Sequence, residues 1–458
     1  MVDTLITNGI VVTNAGSYRA DVGIIGEQIA QIGGSFLRAQ TVIDAKGLYV
    51  LPGGVDVHTH LDAPSLGMMT ADDFQTGTVA AACGGTTSII DFCQQSPGGT
   101  LAEGIDNWDK KAFGKAAVDY GYHMLIPDFH DRIADELATL PGRGITSFKL
   151  FMSGKGSAMI DDQALLSAMA KARECGALIM VHAENGDAVD FLQRKLLSEG
   201  KTAPLYHAAS RPARAEAEAT SRAIALAEMT GAALYVVHVS CGEALEEVVR
   251  GKQRGVNVLA ETCTHYLFLT TDDLDRKGFE GAKFVFSPPA RSRADQEVLW
   301  RALRNNVLET VSSDHSSTRY HDQKQVGRSD FTKIPNGLPG IEERFILLYQ
   351  GVVSGKISLE QFVDLVASRP ARTFGLAPRK GTIGIGNDAD LVLFDPASSR
   401  TISNENLHHA VDYSAYEGMR VRGRVVSVLL RGKQIVRDGE FCGEAGYGKF
   451  LSRERVEV

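Results

Sequence analysis

Between about residues 55 and 314 the chain alternates short apolar runs with longer stretches of helical period. Eight such runs start near Val55, Thr87, Gly121, Thr146, Leu178, Leu234, Val256 and Glu309. Short apolar strands separated by helices build a parallel sheet, and eight is the number that closes one into a barrel. The connectors carry helix signals. Asp161-Asp162 can cap Gln163–Glu174, which stops near Cys175-Gly176, and Arg214–Met229 is strongly periodic and ends before Gly231. A doubly wound open sheet gathers its site at one crevice, whereas here several strands end in ligand-type residues, which favours a barrel.

The two ends of the chain have another texture. Near residues 4–50, short alternating runs such as Leu5-Ile-Thr-Asn-Gly, Ile10-Val-Val-Thr and Val22-Gly-Ile-Ile read as antiparallel strands, and the pattern returns in 381–394 and 425–436. Neither set is large enough to bury a core of its own, so the economical fold pairs them. The expected architecture is α/β: a (β/α)8 TIM-like barrel over residues 51–375, with a small β-sandwich built from residues 1–50 and 376–458, the latter including a C-terminal tail.

With 48 basic and 56 acidic residues and no basic cluster, the chain lacks the concentrated positive face that nucleic acid requires. No apolar run approaches a membrane span, and Met1-Val-Asp-Thr leads straight into strand-like sequence, so no membrane partner and no secretory leader are expected. The six cysteines, 83, 93, 175, 241, 263 and 442, are scattered without a CxxC pair, as in reduced thiols of a cytoplasmic protein.

The chemistry concentrates at the strand ends. His58-Thr59-His60 closes the first apolar run, and residues two apart on a strand point the same way, so both imidazoles can hold one divalent cation. Later runs end in His182, His238 and Asp314. One such histidine alone is more often a hydrogen-bonded core residue; five such residues converging from four strand ends in one barrel point to a metal-dependent hydrolase. Lys149 is the odd member, set mid-strand between Phe148 and Leu150. A lysine there is costly unless paired or chemically altered. A lysine carbamate would be an anion with two oxygens, able to bridge two cations about 3.5–4 Å apart.

The chain resembles the cyclic amidohydrolases, and within them the bacterial D-hydantoinases and dihydropyrimidinases. The resemblance runs nearly end to end, through Pro52-Gly-Gly-Val-Asp-Val-His-Thr-His, Gly144-Ile-Thr-Ser-Phe-Lys, Val181-His-Ala-Glu-Asn-Gly-Asp, Val236-Val-His-Val-Ser, Phe286-Ser-Pro-Pro-Ala-Arg, Ser313-Asp-His and Ile334-Pro-Asn-Gly. It implies two zinc ions per subunit, one held by His58, His60 and Asp314 and the other by His182 and His238, bridged by carboxylated Lys149 and a hydroxide. It further implies Asp314 as the catalytic proton carrier, and main-chain groups around Ser287 and Asn336 as the holders of a small cyclic ureide. The implied reaction opens 5-substituted hydantoins (D-selectively) and/or dihydropyrimidines to N-carbamoyl amino acids. The implied assembly is a homo-oligomer, dimer or tetramer, with the tail from Gly446 a candidate arm toward a neighbour.

One departure stands out. Ser153-Gly154 occupies the place where relatives commonly carry Ala-Tyr, so a phenol cannot assist the oxyanion from this position. Asp56 shares a strand face with His58 and is a candidate for orienting it, His315 for positioning Asp314, and His265 reads as a core or supporting residue. The substrate gate is expected in the loops after the first and fourth strands, with Leu61, Met69 and Phe151 as walls. Other readings are an allantoinase or dihydroorotase, the latter needing a cation for its substrate's carboxylate, for which Arg291 is the motif-borne candidate. A non-catalytic scaffold of the dihydropyrimidinase-like kind is a third; a complete set of ligand residue types argues against it.

Overall fold

In a computed structural model that describes residues 1–34 and 38–455, the apolar runs become eight strands of one sheet. They are Gly54–Thr59, Thr86–Gln94, Asp119–Leu125, Ser147–Phe151, Leu178–His182, Leu234–Val236, Val258–Cys263 and Thr310–Ser312. Each pairs in parallel with its successor. Helices cover the outside and side chains fill the inside, so these strands are buried almost throughout. The sheet curls until the chain just beyond the eighth strand meets the first: Thr59 bridges His315 in parallel, and His60 N donates to His315 O at 2.9 Å. The expected barrel is therefore present and nearly closed.

Local signals explain the connectors. Asp161 caps the helix Asp162–Cys175 by accepting from Ala164 N at 2.8 Å, and Gly176 ends it at φ 69°, a left-handed conformation that suits glycine.

The two chain ends meet as the sequence suggested. Leu391–Thr401 pairs antiparallel with Tyr49–Pro52, placing Leu391 opposite Pro52 and Phe394 opposite Tyr49 in a seven-stranded sheet. A four-stranded sheet of N-terminal strands faces it. Ile6, Val11 and Val50 from one end share a core with Leu391, Leu393 and Leu429 from the other.

A buried charge cluster ties this sandwich to the barrel. Lys380 Nζ lies 2.6 Å from Asp119 on the third barrel strand, 2.8 Å from Asp390 and 2.9 Å from Asp388. Arg431 also pairs with Asp119 and accounts for its second oxygen. Burial penalises the Lys380 charge, but the three carboxylates outweigh it and raise its pKa. The tail from Gly446 runs along its own barrel. Gly448 N donates to Ala116 O at 2.8 Å, Tyr120 N to Lys449 O at 3.0 Å and Leu451 N to Tyr120 O at 2.6 Å, while Arg453 reaches Ser147 Oγ at 2.9 Å. The main-chain groups at the lower end of the third strand need partners, and the tail supplies them.

Replacing Lys380 by Met leaves buried carboxylates without their cation, so the folded state is expected to lose about 3–5 kcal/mol. The measurement is a urea unfolding curve; a midpoint unchanged within error would show that the cluster is not a structural link.

Candidate metal centre

The first and fifth strands deliver His58 and His182 from regular extended backbone. His238 and Asp314 are reached differently. Each lies two residues past a three-residue strand, at φ 40° and φ 49°, where non-glycine residues are seldom found. Such backbone costs on the order of 1–3 kcal/mol per residue and is typically retained where it aims a functional group.

The sequence-derived set converges at the barrel mouth. Asp314 Oδ1 lies 3.1 Å from His58 Nε2 and 3.3 Å from His60 Nε2. One ligand atom from each of these three residues falls within 4.8 Å of the others. His182 Nδ1 sits 3.0 Å from His238 Nε2, and the His58 and His238 rings are 5.6 Å apart, so the triplet and the pair are neighbours. Lys149 is fully buried along its stem, its Nζ 5.1 Å from the Phe92 ring centre and 5.2 Å from that of Phe151. Imidazole nitrogens with a carboxylate oxygen suit a divalent transition metal.

The electrostatics agree. Burial lowers the pKa of His60, His182 and His238, keeping these rings neutral with lone pairs to offer. Burial opposes charge on His58 too, but Asp314 and Glu261 outweigh it and raise His58 to about 9. Burial alone would raise Asp314; His58 and His60 instead hold it well below the usual carboxylate range. Burial lowers Lys149 to about 8, against the pull of Asp314 and Glu261.

Sequence reasoning missed the groups that hold the rings. His58 Nδ1 meets Glu261, on the seventh strand, whose other oxygen accepts from Ser312 Oγ at 2.5 Å and Tyr235 OH at 3.2 Å. Asp56, expected to orient His58, does not touch its ring. It accepts from Ser313 N at 3.1 Å and lies 3.5 Å from Arg344, so it secures the barrel seam. A signal for Glu261 existed: a carboxylate inside Val258-Leu-Ala-Glu-Thr-Cys is as costly as Lys149 unless paired. His182 Nε2 pairs with Glu184 at 2.7 Å, and Glu184 with Arg211. His315 turns away from Asp314, to Asp72 at 3.1 Å and the Gly340 amide at 3.2 Å. His265 packs against Phe286 with ring centres 4.4 Å apart, as a core residue.

A pocket opens over the cluster, with Ser287 and Asn336 on its wall. Ser287 Oγ donates to Asn336 Oδ1 at 2.9 Å. Among the described residues no hydrogen bond uses the main-chain N–H or C=O of either residue, although their neighbours Phe286, Pro288 and Gly337 are paired. The gate differs from expectation. Leu61 is fully buried beside Gly77 and Met69 is 43% exposed outside the pocket. The loop turns between them, so that Pro64, Ser65 and Leu66 form the wall; Phe151 does line it. Ser153 and Gly154 also face the pocket, and Gly154 adopts φ 84°, a backbone unsuited to a bulky side chain. No tyrosine lines the pocket among the described residues.

Residues 49–435 match the Amidohydrolase family. The chain belongs to that family. It is 57% identical to a D-hydantoinase of Ralstonia pickettii over 455 residues, 99% of this chain and 100% of that one. It superposes on a solved D-hydantoinase at TM-score 0.99 and 57% identity, covering both chains fully, and on the dihydropyrimidinase of Brevibacillus agri at TM-score 0.98 and 50% identity, covering 99% of each. The likeness to hydantoinases and dihydropyrimidinases expected from the motifs is borne out, as is the assignment to the hydrolases.

Because His58 is held protonated between two carboxylates, zinc added to metal-free protein at pH 7.5 is expected to release protons and to bind more tightly as pH rises toward 9. Titration calorimetry in buffers of different ionisation heat reads the proton count. Glu261→Gln should reduce that count and weaken zinc about 10–100-fold; equal proton release in both proteins would contradict the coupling.

Proposed function

We propose that this chain is a binuclear zinc cyclic amidase that hydrolyses 5-substituted hydantoins, D-selectively, and/or dihydropyrimidines to N-carbamoyl amino acids. The observation that carries the reading is the donor count: three protein ligands on one side, two on the other, and a buried lysine amine beside both. His58, His60 and Asp314 would hold one ion, His182 and His238 the second. A bare ammonium at Lys149 would repel both ions. Its lowered pKa leaves a neutral fraction of amine able to add carbon dioxide, and the resulting carbamate would complete both sites. Once bound, the ions supply a nucleophile from water at neutral pH and polarise a carbonyl.

The protein's own part is positioning and proton movement. Asp314, deprotonated at working pH, takes a proton from the attacking water and passes it to the ring nitrogen as the amide C–N bond breaks. The unpaired main-chain groups at Ser287 and Asn336 suit the alternating donors and acceptors of a ureide. Leu66 and Phe151 wall the exocyclic substituent. A carboxylated substrate fits less well. Arg291, the candidate clamp, does not line the pocket and is buried against Glu216 at 2.9 Å and Ser240 at 3.0 Å, and Arg211, which does line it, is paired with Glu184. This weighs against the dihydroorotase reading. All six cysteines are free thiols and no helix among the described residues is long and apolar enough to cross a membrane, which supports a cytoplasmic setting. Assembly as a homo-oligomer rests on family likeness.

Protein reconstituted with zinc and bicarbonate is expected to open dihydrouracil or a racemic 5-substituted hydantoin, with the D-carbamoyl product seen on chiral analysis. Opening of neither ring would overturn the reading. Leu66→Ala should shift the ratio of kcat/KM between aromatic and small 5-substituents by about tenfold, the scale of a few lost methylene contacts; an unchanged ratio would remove Leu66 from the gate.

A further inference from the structure

We propose that Lys324 is a positioning residue for substrate binding, whose side-chain amine locks together the two loops carrying Ser287 and Asn336. The inference rests on the reading that those loops hold the substrate ring.

Lys324 is completely buried in the turn Lys324–Gly327 and does not line the pocket. Its Nζ donates to Pro335 O at 2.9 Å, Gly337 O at 2.9 Å and, more weakly, Val285 O at 3.4 Å. The two short contacts need two N–H donors, which the amine has with or without its extra proton, and the protonated form adds a third for Val285 O. Two of these carbonyls flank Asn336, and the third lies two residues before Ser287. No carboxylate appears among the charges acting on Lys324, and burial alone lowers its pKa, to about 7. A buried cation without a counter-charge is costly, and an apolar side chain of similar volume would serve packing better. Main-chain carbonyls aimed at one buried amine therefore mark a requirement beyond filling space.

That requirement is the spacing of two loops that otherwise touch at few points. Gly337 N donates to Val285 O at 3.0 Å, and Ser287 Oγ to Asn336 Oδ1 at 2.9 Å. Gly337, at φ 109°, is pressed on its other side against Ser316 beyond the eighth strand, whose O lies 2.3 Å from where a Cβ would stand, so this loop is already fixed on the barrel side. The lysine, arriving from a third segment, draws in the carbonyls on the far side of these links. It leaves the main-chain groups of Ser287 and Asn336 facing the pocket at a set separation, which lowers the ordering cost of binding.

The test uses zinc-loaded Lys324→Met, with KM and kcat on the ring that the wild type opens best and zinc content measured alongside. The expected result is a KM raised about tenfold, with kcat within about threefold and two zinc ions retained. A KM within twofold of wild type overturns the proposal. So does a loss of kcat together with zinc, since that describes general damage. If Lys324→Met does not fold, Lys324→Gln, which keeps two donors without charge, takes its place under the same criteria with a smaller KM rise. Asn336→Pro, which removes the loop's free N–H, separates the two ideas. If it raises KM while Lys324→Met does not, only the role of Lys324 fails; if neither moves KM, the loops do not hold the substrate.

Discussion

The seam between the first and eighth strands is the constraint on which the site depends. His58 and His60 stand at one edge of the sheet and Asp314 at the other, more than 250 residues apart in the chain. Only curling of the sheet brings them within 3.1–3.3 Å. The seam is short: a bridge between Thr59 and His315, the His60 amide on the His315 carbonyl, and the Ser313 amide on Asp56. Arg344 reinforces it from below, donating to Val311 O at 3.0 Å while lying against Asp56. Left-handed backbone at Asp314 is tolerable because these bonds fix the chain on both sides of it.

Among the described residues three lysines are wholly buried, and the protein treats each differently. Lys380 is paired with three carboxylates, whereas Lys324 meets only main-chain carbonyls. Lys149 bonds to neither; it sits between two aromatic rings, near enough to His182 and His238 for its charge to oppose theirs. Structure, positioning and chemistry thus divide among residues of one type according to what surrounds the ammonium.

The barrel and the convergence of His58, His60, Lys149, His182, His238 and Asp314 were legible because strand period and strand-end position are local properties of sequence. The supporting groups were not. Glu261 acts on His58 from another strand, and only the order of strands around the barrel says which carboxylate meets that histidine; Glu184 lies just two residues past His182, where its side-chain direction in the turn decides the contact. Leu61 and Met69 misled for a related reason. A loop's composition reveals that it is apolar, but its path decides which residues face inward, and this one turns at Leu66 with φ 48°. The docking of the tail on its own barrel was not legible either, because its partners, around Ala116 to Tyr120, are over 300 residues away.

The sandwich has a consequence for how the chain is made. Tyr49–Pro52 leaves the ribosome long before its partner Leu391–Thr401, and at ordinary rates of synthesis the interval is roughly twenty seconds to a minute. Through that time an apolar strand edge stands open beside a barrel whose lower end still lacks Lys449–Arg453. Nascent chains of this protein therefore pass through a long window of exposed edge, and their yield in a cell should depend on chaperone supply and translation speed more than on the stability of the finished fold.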